Sequence, residues 1–253
     1  MTRDYEEYLK DDNLHINWYP GHMKKTKEMV QNNLKLVDVV IELLDARIPL
    51  SSKNPEIDKL AQNKPRVVVL NKSDLSDKAK LNKWISYYQS KGIKAIPVDT
   101  LKGNGVNKIV EECKNATKEK MDALKEKGRK ERAIRVMIVG VPNVGKSSLI
   151  NKLTGRKSTQ TGDRPGVTKG KQWVRLKGNL ELLDTPGILW PKFEDQKIAL
   201  NLAFTRAIKD EILDIDTLGL KFIEKMSEIE PEKLKARYKL DSLGEEPLET
   251  MEM

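Results

Sequence analysis

The stretch Gly140–Ser147, "GVPNVGKS", constrains the fold of this chain more than any other part of its sequence. It has the form Gly-x4-Gly-Lys-Ser, with the apolar run "IRVMIV" before it and "SLINKLTG" after it. A strand, a glycine-rich turn and a helix in that order form a phosphate-binding loop, in which backbone amides and the helix N-terminus surround a phosphate chain. The sequence therefore predicts a nucleotide-binding α/β domain.

Individual residues of this phosphate-binding loop are expected to contact the phosphates and Mg²⁺. We expect Lys146 to contact the β- and γ-phosphates and the Ser147 hydroxyl to ligate Mg²⁺. Backbone amides make the other phosphate contacts. The predicted phosphate-binding residues of the loop are Asn143, Val144, Gly145, Lys146, Ser147 and Ser148. The alternative is a glycine-rich turn that arose by chance, which would not explain the strand before it and the helix after it.

Guanine is the base that "NKSD" (71–74) predicts, because this tetrapeptide directly follows the apolar run "RVVVL". Asp74 can accept both the ring N–H and the amino group of guanine, whereas adenine would leave this carboxylate unpaired. Asn71 and Lys72 are expected to brace the loop and cover the base, and Ser73 completes the predicted guanine-binding set. Alone, the tetrapeptide is often just a polar turn. Beside a phosphate loop it indicates guanine.

A second guanine-binding loop is predicted one helix and one strand further along, in "IPVDTLKGNG" (96–105). GTPases usually carry Ser-Ala-Lys or Ser-Ala-Leu there, and Asp99, Thr100 and Leu101 depart from that pattern. We predict that Asp99 and Thr100 bind guanine, because backbone amides at this position can still reach the guanine oxygen.

Two segments after the phosphate loop fit the switches of a GTP hydrolase. In "LELLDTPG" (180–187), Asp184 is expected to hold Mg²⁺ through water and the Gly187 amide to contact the γ-phosphate. In "TGDRPGVTKG" (161–170), Thr168 is expected to supply a second hydroxyl to Mg²⁺, with an ordinary surface loop as the alternative. Ile188 stands where Ras-like enzymes carry the glutamine that orients the attacking water, so another group must do this.

The order of these motifs is unusual. Ordinary GTPases carry the phosphate loop first, then the switches, then the guanine loops, whereas here the guanine loops come first. We therefore predict a circularly permuted P-loop GTPase, which can fold because new termini are tolerated at exposed sites. Alternating strands and helices predict a doubly wound, mostly parallel sheet, followed by a small all-helical domain. The predicted parts are an N-terminal extension (1–16), the GTPase domain (17–190) and a separate helical element (191–253).

Net charge, cysteine count and hydropathy indicate which partners and which compartment to expect. The net charge of +9 favours a polyanionic partner, with surface lysines for solubility as the alternative. One cysteine allows no disulfide within the chain, and with two histidines it cannot form a Cys/His zinc cluster. No apolar run approaches the ~18 residues of a membrane span, and the acidic start is not a signal peptide. We expect a cytoplasmic monomer that binds neither zinc nor membranes.

Charge is concentrated in two predicted helices, and the C-terminal tail is polar. Residues 20–37 read as a basic amphipathic helix. Residues 107–132 read as a helix whose lysines and arginines fit either RNA contact or a solvated face. A further helical region is expected from about Gln196 to near Tyr238, and the tail 241–253 is expected to fray.

Five segments together resemble the ribosome biogenesis GTPase A family, also called RbgA or YlqF. They are "WYPGHMKK" (18–25), "DARIPLSSKNP" (45–55), "GVPNVGKSSLIN", "TGDRPGVTKG" and "LLDTPGILWPKFED" (182–195). The resemblance implies a cytoplasmic GTPase acting late in assembly of the large ribosomal subunit. It also implies binding to rRNA and pre-ribosomal particles, with hydrolysis stimulated by the subunit. The chain departs from the family in its N-terminal extension and in a C-terminus that ends sooner than expected. We expect the shorter C-terminus to affect the affinity for RNA and not the nucleotide chemistry.

The resemblance also implies a catalytic role for His22. A neutral imidazole can orient the water or accept its proton; the alternatives are a helix cap or a contact to RNA phosphate. The phosphate loop resembles that of potassium-activated GTPases, where the Asn oxygen helps to hold K⁺ against the phosphates. Asn143 is therefore expected to hold K⁺, with stabilisation of the loop as the alternative. His22, Asn143 and Lys146 form the predicted catalytic set.

Two other functions remain open at this point. One is a nucleotide-dependent RNA-binding module in which hydrolysis is incidental. The other is a tRNA-modification GTPase, which can share the loop asparagine; the permuted order and the lack of a cysteine-bearing C-terminal motif argue against it. Without a glutamine or an arginine finger, intrinsic hydrolysis should be slow, about 10⁻⁴–10⁻³ per second.

Overall fold

The computed structural model describes residues 23–61, 64–155, 173–183, 195–208 and 214–253, with backbone alone for 23–27. The predicted extension (1–16) lies outside these ranges. The described residues up to 183 form one compact unit, and those from 195 onward form another.

The first unit is a six-stranded sheet with helices between its strands. Its strands are β1 (Val39–Asp45), β2 (Arg66–Asn71), β3 (Lys94–Val98), β4 (Ile134–Val139), β5 (Trp173–Leu176) and β6 (Leu180–Leu183). Its helices among the described residues are α1 (Met23–Leu34), α2 (Pro55–Leu60), α3 (Lys78–Ser90), α4 (Val106–Glu126) and α5 (Lys146–Thr154), with a 3₁₀ turn at Ser73–Leu75.

The strands lie in the order β3-β2-β1-β4-β6-β5. Pairing is parallel between β3 and β2, β2 and β1, β1 and β4, and β4 and β6, whereas β5 and β6 form an antiparallel hairpin. This confirms the predicted doubly wound, mostly parallel sheet. The central strands are rich in valine, isoleucine and leucine because helices cover both faces of such a sheet, although Glu42 interrupts β1 and Arg135 interrupts β4.

The strand register brings the predicted site motifs to one edge of the sheet. Asp45, the last residue of β1, pairs with Asn71, which in turn pairs with Val98 near the end of β3. β4 ends at Val139, directly before the phosphate loop. Parallel strands present their carboxyl ends together, and ligands of such sheets bind there.

Apolar contacts from the helices hold this sheet. Val30 and Leu34, four residues apart on α1, are buried against Met137 and Leu183, which confirms a helix with an apolar face, although it ends at Leu34 and not at Val37 as predicted. On α3, Leu81 and Tyr88 are buried in a second cluster with residues of β2. Burying a side chain of this size stabilises the fold by about 1.5–3 kcal/mol.

The charged helix ends sooner than the sequence predicts. α4 stops at Glu126, and Gly128 adopts a left-handed conformation (φ 70°) that ends it. Asp38, only 2% exposed, then binds Lys120 at 2.7 Å and Arg132 at 2.7 Å, which ties the helix and the connection after it to the start of β1. Burial alone would raise the pKa of Asp38, but these hydrogen bonds outweigh it and lower the pKa to about 2.

The second unit is helical in the residues that the structure describes. Its helices are α6 (Gln196–Phe204), α7 (Ile215–Ile229), α8 (Pro231–Tyr238) and α9 (Pro247–Glu252). Asp195 and Asp214 cap α6 and α7 with their side chains. Among all the residues that the structure describes, in both units, no helix is long and apolar enough to cross a membrane.

The C-terminal tail does not fray, so that prediction is wrong. Residues 247–252 form α9, which starts at Pro247 and has a capping box between Glu246 and Glu249. Thr250 is buried, and its hydroxyl accepts a hydrogen bond from the Gly244 amide at 3.0 Å. A capping box satisfies amide groups that would otherwise fray a short helix.

Candidate guanine-nucleotide site

The phosphate loop connects β4 to α5, and two of its glycines leave no room for a side chain. A Cβ on Gly140 would lie 2.5 Å from the carbonyl oxygen of Leu43. Gly145 has φ 104°, and a Cβ there would collide with the amide nitrogen of Asn71. Glycine is needed where the backbone is left-handed or approaches another segment this closely.

Lys146 is the first residue of α5, and its side chain turns back into the loop. Its Nζ donates to the carbonyl oxygen of Gly140 at 2.9 Å. Burial lowers the pKa of Lys146 to about 8, and none of the described charges offsets that burial. A half-buried ammonium without a counter-ion among the described residues favours a bound anion, which suits phosphate.

Asn71 joins three of the predicted motifs. Its side chain is 1% exposed, and its Nδ2 donates to the carbonyl oxygen of Val144 at 2.7 Å. Its Oδ1 accepts from the backbone amide of Thr100 at 3.3 Å. One amide side chain therefore holds the phosphate loop and the second guanine loop in a common geometry.

Lys72 makes a second link to the phosphate loop. Its Nζ donates to the carbonyl oxygen of Asn143 at 3.0 Å and lies 3.0 Å from Oδ2 of Asp45. Both Lys72 (φ 58°) and Asn143 (φ 53°) have left-handed backbones, which non-glycine residues adopt rarely.

Asp74 is exposed to solvent, whereas Asp99 and Thr100 of the second predicted guanine loop are buried. Asp74 lies in the 3₁₀ turn after β2. The pKa of Arg47 is raised chiefly by its hydrogen bond to Asp45, and the charge of Asp74 adds to this. Asp99 and Thr100 are each 4% exposed. Oδ1 of Asp99 accepts from the backbone amides of Leu101 and Lys102, both at 3.0 Å. Asp99 therefore shapes its own loop.

Asp45 and Arg47 were not predicted as site residues from the sequence. Burial alone would raise the pKa of Asp45, but hydrogen bonds from Arg47 and the charges of Arg47 and Lys72 outweigh it and lower the pKa. In the sequence, Asp45 directly follows an apolar run, which could have marked it as a residue of the site, but its pairing with Lys72 is visible only in the structure.

Several predicted residues cannot be placed. His22, Thr168, Asp184 and Gly187 lie outside the described residues. Of the three predicted Mg²⁺ ligands the structure describes Ser147 alone, which is exposed at the start of α5. Within the described ranges, no three or more His, Cys, Asp or Glu side chains are grouped so as to hold a metal ion.

Known proteins resemble this chain over most of its length. A family model described as "50S ribosome-binding GTPase" matches residues 135–243. Ribosome biogenesis GTPase A of Bacillus cereus is 51% identical over 234 residues, which cover 92% of this chain and 79% of that protein. The chain belongs to the ribosome biogenesis GTPase A family. The protein of this name from Thermotoga maritima is 35% identical, with 79% of this chain and 69% of the relative covered.

Solved structures of the ribosome biogenesis GTPase A family agree with the fold. YlqF from T. maritima, crystallised in a GNP-bound form, has a TM-score of 0.59 at 27% identity, covering 87% of this chain and 85% of that one. Its GDP-bound form has a TM-score of 0.58 at 26% identity. The resemblance drawn from the five segments is therefore confirmed. The chain is a circularly permuted P-loop GTPase of ribosome biogenesis.

Proposed function

We propose that this chain binds GTP and GDP at the sheet edge where β1 to β4 end, and that it hydrolyses GTP as a checkpoint late in assembly of the large ribosomal subunit. The observation that carries this proposal is the pair of links from Asn71 and Lys72 to the phosphate loop. They join a base-reading motif and a phosphate-binding motif that lie about 70 residues apart in the chain.

Each predicted residue has a role in this proposal. Asp74 reads the two N–H groups of guanine, and Lys146 with the amides of 143–148 and Gly187 binds the phosphates. Hydroxyl and carboxylate oxygens are the donors that Mg²⁺ prefers, so Ser147, Thr168 and Asp184 suit this ion chemically. An Mg²⁺ ion held by these residues would neutralise phosphate charge.

Hydrolysis must proceed without a glutamine after Gly187. We assign the orientation of the attacking water to His22. A K⁺ ion held by the side chain of Asn143 would supply the positive charge that an arginine finger supplies elsewhere. Asn143 is exposed in the phosphate loop, which is compatible with this role.

The proposed partners are the large ribosomal subunit and its RNA. The matching family description names 50S ribosome binding, and the net charge of +9 suits a polyanionic partner. Acting on the subunit places the protein in the cytoplasm. By binding, the subunit would order the switches and accelerate a slow intrinsic reaction.

The direct test is GTP hydrolysis with and without purified large subunits, in KCl and in NaCl. We expect slow hydrolysis alone, stimulation by subunits, and a higher rate in KCl. Equal hydrolysis rates in the two salts would exclude a role for K⁺. If large subunits do not stimulate hydrolysis, the proposed checkpoint role is wrong.

Two variants separate the components of the proposal. Lys146→Ala should lose GTP binding together with subunit release. If subunit binding and release persist unchanged, hydrolysis is incidental to RNA binding. His22→Ala should bind GTP normally and lose stimulated turnover, and unchanged turnover would exclude His22.

A further inference from the structure

Asp45 and Arg47 form a cluster that the proposed nucleotide contacts do not use. The Asp45 side chain is 4% exposed and ends β1, next to the strand that leads into "NKSD". Its carboxylate binds Nε of Arg47 at 2.9 Å and Nη2 at 2.6 Å, and it lies 3.0 Å from Nζ of Lys72. A buried carboxylate thus pairs with one cation of its own loop and one cation of the guanine motif.

We propose that Asp45 is a positioning residue of the guanine site, which holds the Lys72 ammonium where it bridges to the phosphate loop. The proposal rests on the proposed guanine site. It adds that the affinity for guanine nucleotides depends on a residue outside the nucleotide-binding motifs, acting through Lys72.

Lys72 needs such a partner because its geometry is demanding. Its backbone is left-handed, and its long side chain must give up rotamer freedom to reach the carbonyl oxygen of Asn143. The Asn143 carbonyl accepts from the ammonium but carries no net charge, whereas the Asp45 carboxylate, 3.0 Å from Nζ, adds an opposite charge in a mostly buried position. The Asp45 carboxylate supplies that second contact before any nucleotide arrives.

The carboxylate is itself held firmly. Besides its guanidinium, Arg47 donates its backbone amide to Oδ1 of Asp45 at 3.0 Å. The Asp45 amide donates to the hydroxyl of Ser52 at 2.9 Å, which closes the loop after β1 onto the strand. Arg47 therefore fixes the orientation of the carboxylate, and Oδ2 remains directed at Lys72.

Asp38 provides a matched control in the same protein. It lies just before β1, whereas Asp45 ends this strand. It is as buried as Asp45 and likewise pairs with two cations, Lys120 and Arg132. Because it lies at the amino-terminal edge of the strand, its loss should affect stability and leave nucleotide binding intact.

The test is a double-mutant cycle on GDP binding. Dissociation of fluorescent mant-GDP and its Kd are measured for the wild type, Asp45→Asn, Lys72→Ala and the double variant, with Asp38→Asn as the control. We expect Asp45→Asn to weaken GDP binding about tenfold. In the Lys72→Ala background, Asp45→Asn should have no further effect, because Asp45 acts through Lys72. Asp38→Asn should melt at a lower temperature and bind GDP like the wild type.

Each outcome decides a different point. Wild-type affinity of Asp45→Asn, or an additive effect in the double variant, overturns the proposal. If Lys72→Ala binds GDP normally, Asp45 cannot act through Lys72 and the proposal is overturned, whereas failure of the wild type to bind mant-GDP would show that the proposed guanine site itself is wrong. If Asp45→Asn does not fold, Arg47→Gln replaces it, since the Arg47 side chain is 28% exposed and more tolerant of change. That variant should weaken GDP binding about threefold, and wild-type affinity would again overturn the proposal.

Discussion

Replacing Asn71 tests whether one side chain holds the site together. Its amide donates to the Val144 carbonyl at 2.7 Å and accepts from the Thr100 amide at 3.3 Å. Asn71→Ala removes both bonds and leaves two backbone groups unpaired. An unpaired buried group costs about 1–3 kcal/mol, so we expect the free energy of unfolding to fall by about 3 kcal/mol.

Asn71→Asp is a second variant for this test, because the aspartate side chain is nearly the same size as the asparagine that it replaces. The new carboxylate can still accept from Thr100, but it places an oxygen against the Val144 carbonyl and buries a charge. We therefore expect Asn71→Asp to be less stable than Asn71→Ala at pH 7. The native state raises the pKa of such a carboxyl group above its unfolded value. The penalty should shrink as the pH falls, because a protonated carboxyl group can donate to Val144.

We would measure urea unfolding of these variants at pH 5 and pH 7, together with their affinity for GDP. At pH 7 we expect the wild type to be most stable, then Asn71→Ala, then Asn71→Asp, with GDP affinity reduced in both variants. If Asn71→Asp is as stable as the wild type at pH 7, or if both variants bind GDP normally, the bridging role is refuted.

Two further predictions concern pH. Burial raises the pKa of Glu42 to about 7, partly offset by Arg66, so stability should fall as pH rises from its unfolded pKa of 4.5 through 7. Glu42→Gln should remove this slope in urea unfolding at pH 5 and pH 8, and an unchanged slope would contradict the assignment. Burial lowers the pKa of Lys146 to about 8, and bound phosphate should raise it. Calorimetry should therefore show GDP affinity falling by up to about tenfold per pH unit above pH 8, whereas flat affinity from pH 7 to 9 would refute this.

Much of the first unit could be predicted because its local and global signals agree. β1 and β2 are mostly apolar runs that end in polar motifs, and such runs in a doubly wound sheet are buried on both faces. The permuted order followed from the sequence of motifs alone.

The remaining features depend on contacts between distant residues. The helix predicted over 107–132 ends early because Gly128 and the pairing of Asp38 with Arg132 redirect the chain. The tail reads as polar, yet the capping box of α9 and burial of Thr250 order it. The pairing of Asp45 with Lys72 joins two adjacent strands, and no local pattern shows it.

The central claim is that "NKSD" reads guanine, and base specificity after a change at Asp74 tests it most directly. Xanthine has a carbonyl oxygen where guanine has its amino group. The amide side chain introduced by Asp74→Asn could accept from the ring N–H and donate to that oxygen. We predict that the wild type prefers GDP over xanthosine diphosphate by on the order of a hundredfold or more, and that Asp74→Asn reverses this preference. Equal discrimination by the wild type and Asp74→Asn would contradict the account.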